Sequence, residues 1–381
     1  MLKYAFFLYS LLFVFNVNSI TVWLQYLLTL IIFLAGIYIF FCKRMRLSDW
    51  TAILLLSIIF ILKMSYGSAK LSVFISCISV IFIFRLLEGY NYFKIHASLG
   101  LSVGVYLILT MLIIFFTSPG LSSLDFTRSL SSRLVHSLFS EDFRSTDMMP
   151  YLGLAVFALF LFLKLNERRL VLLLAFIFLV LPILKFDKSN LWLMFFSFFF
   201  LTLIPRKFYK TLNYVVLVAF LTFPILVVQC SIIYGDDLFL NLITSGRVEI
   251  WSSASKELLK NSPWNVVFGV GHDFTPFMRT PYSEALTYDE VSYHSGLFRF
   301  MAQDGYLLYA FCCILIHYYI ERLGLYGIYI LVFIFLYNVF DGSFFSNFTF
   351  HPFFIFPVFI LKSLVKVNNS SNFVDNEKFA F

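Results

Sequence analysis

The chain has 381 residues, of which 61% are hydrophobic and 13% charged, with a formal net charge of +7. Soluble domains carry about a quarter charged residues, and beyond ~300 residues soluble chains split into separate cores. A soluble enzyme, a nucleic-acid binder and a disordered protein are therefore excluded; this is the composition of a polytopic membrane protein.

A membrane-crossing helix needs ~20 mostly apolar residues. Twelve segments fit, at about 4–18, 22–42, 50–66, 71–88, 98–117, 150–165, 170–185, 190–204, 211–230, 303–320, 325–340 and 351–366. The first is short and is followed by Asn16 and Asn18; it also fits a signal-peptide core, but no small-x-small cleavage site follows it. The expected fold is all-α and polytopic. Lys and Arg gather on the cytoplasmic side of such proteins. With the N-terminus inside, sixteen of the 28 basic residues fall in inner segments, among them Lys43, Arg44, Arg168, Arg169, Arg206 and Lys207. Only Lys63, Lys70, Lys185 and Lys188 lie in short outer loops. Both termini are thus expected in the cytoplasm.

The resulting organisation has spans 1–5 in 1–117, an outer loop at 118–149 and spans 6–9 in 150–230. A second outer loop at 231–302 precedes spans 10–12 in 303–366 and a polar cytoplasmic tail at 367–381. Loops above ~15 residues are usually functional or carry structure of their own, so the chemistry is expected on the outer face. In the 118–149 loop, Arg128, Arg133 and Arg144 punctuate the apolar positions of an amphipathic, membrane-surface helix. Cys42, Cys77, Cys230, Cys312 and Cys313 lie in or beside apolar runs without a C-x-x-C, and read as small core residues. Lys63, Arg85 and Glu88 fall at span ends, and Arg85 and Glu88, three apart, are expected to pair. Asp236-Asp237 is a carboxylate pair just past span nine, a poor place for a metal site, and none is expected.

The 231–302 loop reads as two helical pieces joined by a Gly- and Pro-containing crossover. Ser245 is placed as an N-cap, with Glu249 in the first turn and Asn261-Ser262-Pro263 as the stop. Helical spacing sets Arg247, Trp251, Ala254 and Leu258 on one face. One reading is an interfacial helix with Trp251 as anchor and Arg247 snorkelling to headgroups; the other is a guanidinium and an indole presented to a ligand. Phe268-Gly269-Val270-Gly271-His272 follows, a turn in which glycine supplies positive φ rather than a dinucleotide site. His294 lies just before span ten, with Phe298 and Met301 on its face. An imidazole at such a boundary is either merely polar or a general base.

The order Ser245-Gly246-Arg247, Trp251, Gly269-Val270-Gly271, His294 and then Asp304-Gly305 resembles the O-antigen polymerase and ligase superfamily. Ser295 stands where that pattern often has Asn. The twelve-span layout with long third and fifth outer loops is also similar. The resemblance implies a GT-C-like membrane glycosyltransferase of the bacterial inner membrane. Its reaction joins undecaprenyl-pyrophosphate-linked repeat units on the periplasmic face, without cofactor or metal. Lipid-linked oligosaccharide and membrane lipids are the implied partners, with a flippase and a chain-length regulator of the same pathway. Arg247 would contact the diphosphate and His294 act as general base; Trp251, Arg279, Arg299, Arg128, Arg133 and Arg144 are further substrate-binding candidates. An O-antigen ligase and a transporter of lipid-linked oligosaccharide are the alternatives. The transporter has against it a lack of six-plus-six symmetry and span centres nearly free of charge.

Overall fold

The computed structural model describes residues 46–66, 69–89, 189–235, 247–260, 264–279, 288–290 and 293–340, with a few isolated positions between them. Six of the twelve expected spans fall there. Those at 4–18, 22–42, 98–117, 150–165, 170–185 and 351–366 lie wholly or mostly outside the described residues, as does the whole 118–149 loop.

The described helices are α1 (Leu47–Ser65), α2 (Leu71–Gly89), α3 (Ser189–Leu203), α4 (Tyr209–Tyr234), α5 (Arg247–Lys260), α6 (Trp264–Phe268), α7 (Gly296–Asp304), α8 (Tyr306–Glu321) and α9 (Gly327–Phe340). A 3-10 turn, Arg206–Phe208, leads into α4. The departure from an all-α chain is a short antiparallel ribbon, β1 (Phe277–Arg279) and β2 (Tyr288–Glu290), with Met278 opposite Asp289. Two helical stretches, Leu47–Ser65 and Arg206–Tyr234, are long and apolar enough to cross a membrane. Tyr306–Glu321 and Gly327–Val339 are apolar but shorter.

In α1 the buried positions Asp49, Ala52, Leu56, Ile59 and Lys63 recur at steps of three and four, one helical stripe. The opposite side is exposed yet equally apolar, with Leu54, Ile58 and Ile61 outward. At the charged ends of the inward stripe, Asp49 accepts from the Tyr319 hydroxyl at 2.8 Å on one oxygen, and Lys63 meets Asp304. Cys77 and Cys312 are buried free thiols with their sulfurs 3.5 Å apart.

Pro224 sits inside α4, where it removes the amide that the carbonyl of Phe220 would accept from. The neighbouring helix supplies the missing donor: Tyr309 donates to the Phe220 carbonyl at 2.5 Å, and Tyr306 adds a bond to the Leu221 carbonyl at 3.1 Å. At the other end of α4, Tyr209, Tyr329 and Thr202 share hydroxyl contacts of 3.3 Å. Beyond Tyr234 the chain folds back, and α5 packs on α4 through small residues. Ser231 and Ser255 are hydrogen-bonded at 2.9 Å, and a Cβ on Gly235 would stand 2.2 Å from the Ser252 hydroxyl.

The sequence places one continuous span from residue 303, with the outer loop ending at 302. Instead, α7 is a separate nine-residue helix and α8 begins at Tyr306. The break is Gly305, at φ 89°, whose missing Cβ leaves room for the Val267 carbonyl at 2.2 Å from where that carbon would be. Gly269, at φ 85°, makes the reciprocal approach, 2.3 Å from the Gln303 carbonyl. Amides of Val270 and Gly271 donate to the Ala302 and Gln303 carbonyls, capping the C-terminus of α7. The glycine turn is thus a backbone clamp.

Gly269→Ala should therefore combine left-handed strain with a backbone clash and cost about 3 kcal/mol or more. Gly324→Ala, with φ 98° but open space around it, should cost only about 1 kcal/mol. Thermal unfolding of the two detergent-solubilised variants checks the ordering; equal shifts would show that the clamp carries no load.

Candidate functional site

The first turn of α7 is built from its flanks. Ser295, in extended conformation, caps the helix by accepting from the Phe298 amide at 3.4 Å, and its hydroxyl reaches the Asn338 carbonyl on α9. His294, immediately before the cap, takes the left-handed conformation at φ 48°, a region that few non-glycine residues enter. It is half-buried. Tyr293 is buried beneath it, and burial pushes its hydroxyl pKa well up, so the group remains a donor, bonded to the Phe274 carbonyl at 3.4 Å.

The helix that begins at Arg247 ends at Lys260, as its sequence pattern predicts, though Ser245 and Gly246 lie outside the described residues. Its Ala254 and Leu258 face is fully buried, and Trp251 meets Phe298 edge-on with ring centroids 6.3 Å apart. The Trp251 indole N–H donates to the Tyr293 carbonyl at 2.8 Å. Trp251 is half-buried, and its indole is hydrogen-bonded within the protein. Arg247, one turn before Trp251 and half-buried, opens the helix that is tied to the residue preceding His294.

Arg299 lies on α7, five residues after His294. Its Nε donates to the Gln303 side-chain oxygen at 3.0 Å, which aligns the guanidinium along the helix and leaves its terminal amino groups without a partner among the described residues. Arg279 is in β1, opposite Tyr288, and its side chain lies outside the described set. So do Arg128, Arg133 and Arg144, Asp236, and the side chains of Arg85 and Glu88. Asp237 is a local turn cap, accepting from the Leu240 amide at 3.0 Å.

Sequence reasoning missed a second cluster. Asp304 Oδ1 accepts from Lys63 Nζ at 2.6 Å and lies 3.0 Å from His272 Nε2. Lys63 also donates to the Gln303 carbonyl at 3.1 Å. The Lys63 and Asp304 side chains are each 2% exposed and His272 6%. The available signal was a lysine and an aspartate at the edges of apolar runs, where ionisable groups are expected to pair. Their separation of 241 residues hides the pairing from any local pattern.

The arrangement offers two half-buried guanidinium-bearing residues, Arg247 and Arg299, and a half-buried imidazole, His294, on two elements that Trp251 ties together. Planar guanidinium forks suit a diphosphate, and an imidazole suits proton transfer near neutral pH. No protein family, curated protein or solved structure matches this chain.

Removing one member of the buried pair strands the other charge, so Lys63→Met and Asp304→Asn should each destabilise by about 3–5 kcal/mol. The double variant should lose less than the sum, with a coupling of about 1 kcal/mol or more. Thermal melts of the three purified variants test this; strict additivity would mean that the pair does not act as one unit.

Proposed function

We propose that this chain is a polytopic glycosyltransferase of the bacterial inner membrane that polymerises lipid-linked oligosaccharide repeat units on the periplasmic face. In this reading about twelve helices cross the bilayer, and the 231–302 segment is the extracytoplasmic reaction centre. Support for the membrane part comes from composition, from two long apolar helical stretches and from an outward face of α1 as apolar as its inward face.

The observation that carries the reading is the 2.8 Å hydrogen bond from Trp251 to the Tyr293 carbonyl. It brings the Arg247 helix to the His294 turn, and these are two separate parts of the pattern that resembles the O-antigen polymerases. The donor is a glycan on undecaprenyl pyrophosphate and the acceptor a sugar hydroxyl of a second lipid-linked unit. As the hydroxyl oxygen bonds to the anomeric carbon, the carbon–oxygen bond to the diphosphate breaks and its electron pair leaves with the diphosphate. Arg247, with Arg299 as a second fork, stabilises that charge, an effect worth several kcal/mol, about 3 per well-placed donor. His294 accepts the hydroxyl proton. The activated donor needs no nucleotide or redox cofactor.

Arg247→Ala and His294→Ala should each leave single repeat units on the surface lipid anchor while protein abundance stays at the wild-type level. Gel analysis of surface glycan in a complemented deletion strain reads this directly, and wild-type chain length in both variants would refute the assignment. Reporter fusions in 231–302 should report an extracytoplasmic position; a cytosolic signal would sink the reaction as well as the topology.

A further inference from the structure

Lys63, His272 and Asp304 come from three separate parts of the chain and belong to none of the roles assigned above. An ionised carboxylate only accepts hydrogen bonds, so the contact of Asp304 with His272 Nε2 at 3.0 Å places the ring hydrogen on Nε2. Nδ1 has no hydrogen-bond partner among the described residues. The carboxylate is itself fixed by Lys63 at 2.6 Å, and the turn carrying His272 is held by the Gly269 and Gly305 clamp. The result is a ring nitrogen oriented by its surroundings and without a partner among the described residues.

A second observation lies on the same two chain segments. Tyr66 stacks on Phe268 with centroids 4.8 Å apart, and Phe268 on Trp264 at 6.0 Å, both with 26° between ring planes. Tyr66 is 47% and Trp264 53% exposed. Tyr66 follows Lys63 by three residues, about one helical turn, while Phe268 and His272 flank the glycine turn. An apolar slab open to the outside therefore shares two chain segments with the oriented imidazole. A pyranose offers the complement of both: a face of C–H bonds for aromatic rings and an edge of hydroxyls for the imidazole. A lipid anchor would use the rings but would leave Nδ1 without a hydrogen-bond partner.

We propose that Tyr66, Phe268, Trp264 and His272 form a saccharide-binding subsite, in which a pyranose ring of the glycan lies on the aromatic stack and shares a hydroxyl hydrogen bond with His272 Nδ1. The choice of a glycan rests on the glycosyltransferase reading, but the subsite is separate from the Arg247 and His294 roles and fails separately.

The probe is lipid-linked oligosaccharide extracted from cells lacking this chain, titrated against the full-length protein in lipid nanodiscs. Trp264→Ala and His272→Gln should each weaken binding about 3- to 10-fold, and the oligosaccharide should protect His272 from carbethoxylation as read by peptide mass spectrometry. His272→Gln keeps a donor for Asp304, and Trp264 is at the surface, so both variants should retain the wild-type melting temperature. Unchanged affinity in both variants, or modification of His272 indifferent to the oligosaccharide, would overturn the subsite. Quenching of Trp264 fluorescence by bromine-labelled acyl chains, together with unchanged affinity, would identify the stack as a lipid anchor instead. Wild-type chain length in the Arg247→Ala and His294→Ala strains alongside weakened binding by Trp264→Ala would refute the polymerase reading and leave the subsite standing.

Discussion

The buried Lys63–Asp304 pair is the contact on which the site region depends. Taking two charges out of water costs several kcal/mol each, and the attraction between them offsets this only when geometry and supporting hydrogen bonds are good. Here both conditions hold. Asp304 has two donors on one oxygen, and Lys63 adds the Gln303 carbonyl to its carboxylate. The pair therefore fixes where α7 ends relative to the last turn of α1, to within hydrogen-bond tolerance. An apolar contact of the same area would hold the two together without choosing a register.

That fixed point is extended by backbone contacts that no side chain could make. Gly305 turns the chain out of α7 and into α8, and Gly269 lays the turn before His272 against the same carbonyls. Just beyond Gly305, Tyr309 reaches across to the Phe220 carbonyl freed by Pro224 in α4, and Tyr306 to the adjacent Leu221 carbonyl. A proline in an apolar helix is tolerated where neighbours re-satisfy the freed groups. These neighbours do so with hydroxyls whose own burial also demands a partner, so each defect removes the other. The glycine break and the proline thus sit in one connected region.

The sequence makes the long apolar helices legible because their signal is cumulative: each residue of α1 or α4 adds to the same hydropathy. The helix at 247–260 is legible from its stop and its spacing, and the Gly-Val-Gly segment from the conformations glycine alone adopts readily. What escapes is anything decided by a partner distant in sequence. Nothing near Trp251 in the chain announces that its indole donates to the Tyr293 carbonyl, 42 residues on. The start of α8 at Tyr306, after a break at Gly305, escapes because the break depends on the approach of Val267, 38 residues earlier in the chain. The cluster at Asp304 escapes for the same reason, since nothing near Lys63 in the chain is acidic.

This distribution of restraints bears on how a loop can hold a reaction centre. A displacement of about 1 Å can cost a hundredfold in rate, and long loops are the least restrained parts of most folds. Among the described residues of 231–302, the positions assigned to the proposed reaction are attached to helices at short intervals. Arg247 opens a helix sewn to α4 by Ser231 and Ser255. His294 is bracketed by the Trp251 contact on one side and by the Ser295 cap, itself bonded to α9, on the other. The left-handed backbone of His294 is held between those two anchors, where a looser loop would relax it. Strain of this kind persists only where the surroundings over-determine it, and here they do so on the one residue whose imidazole the proposed reaction asks to be held in place.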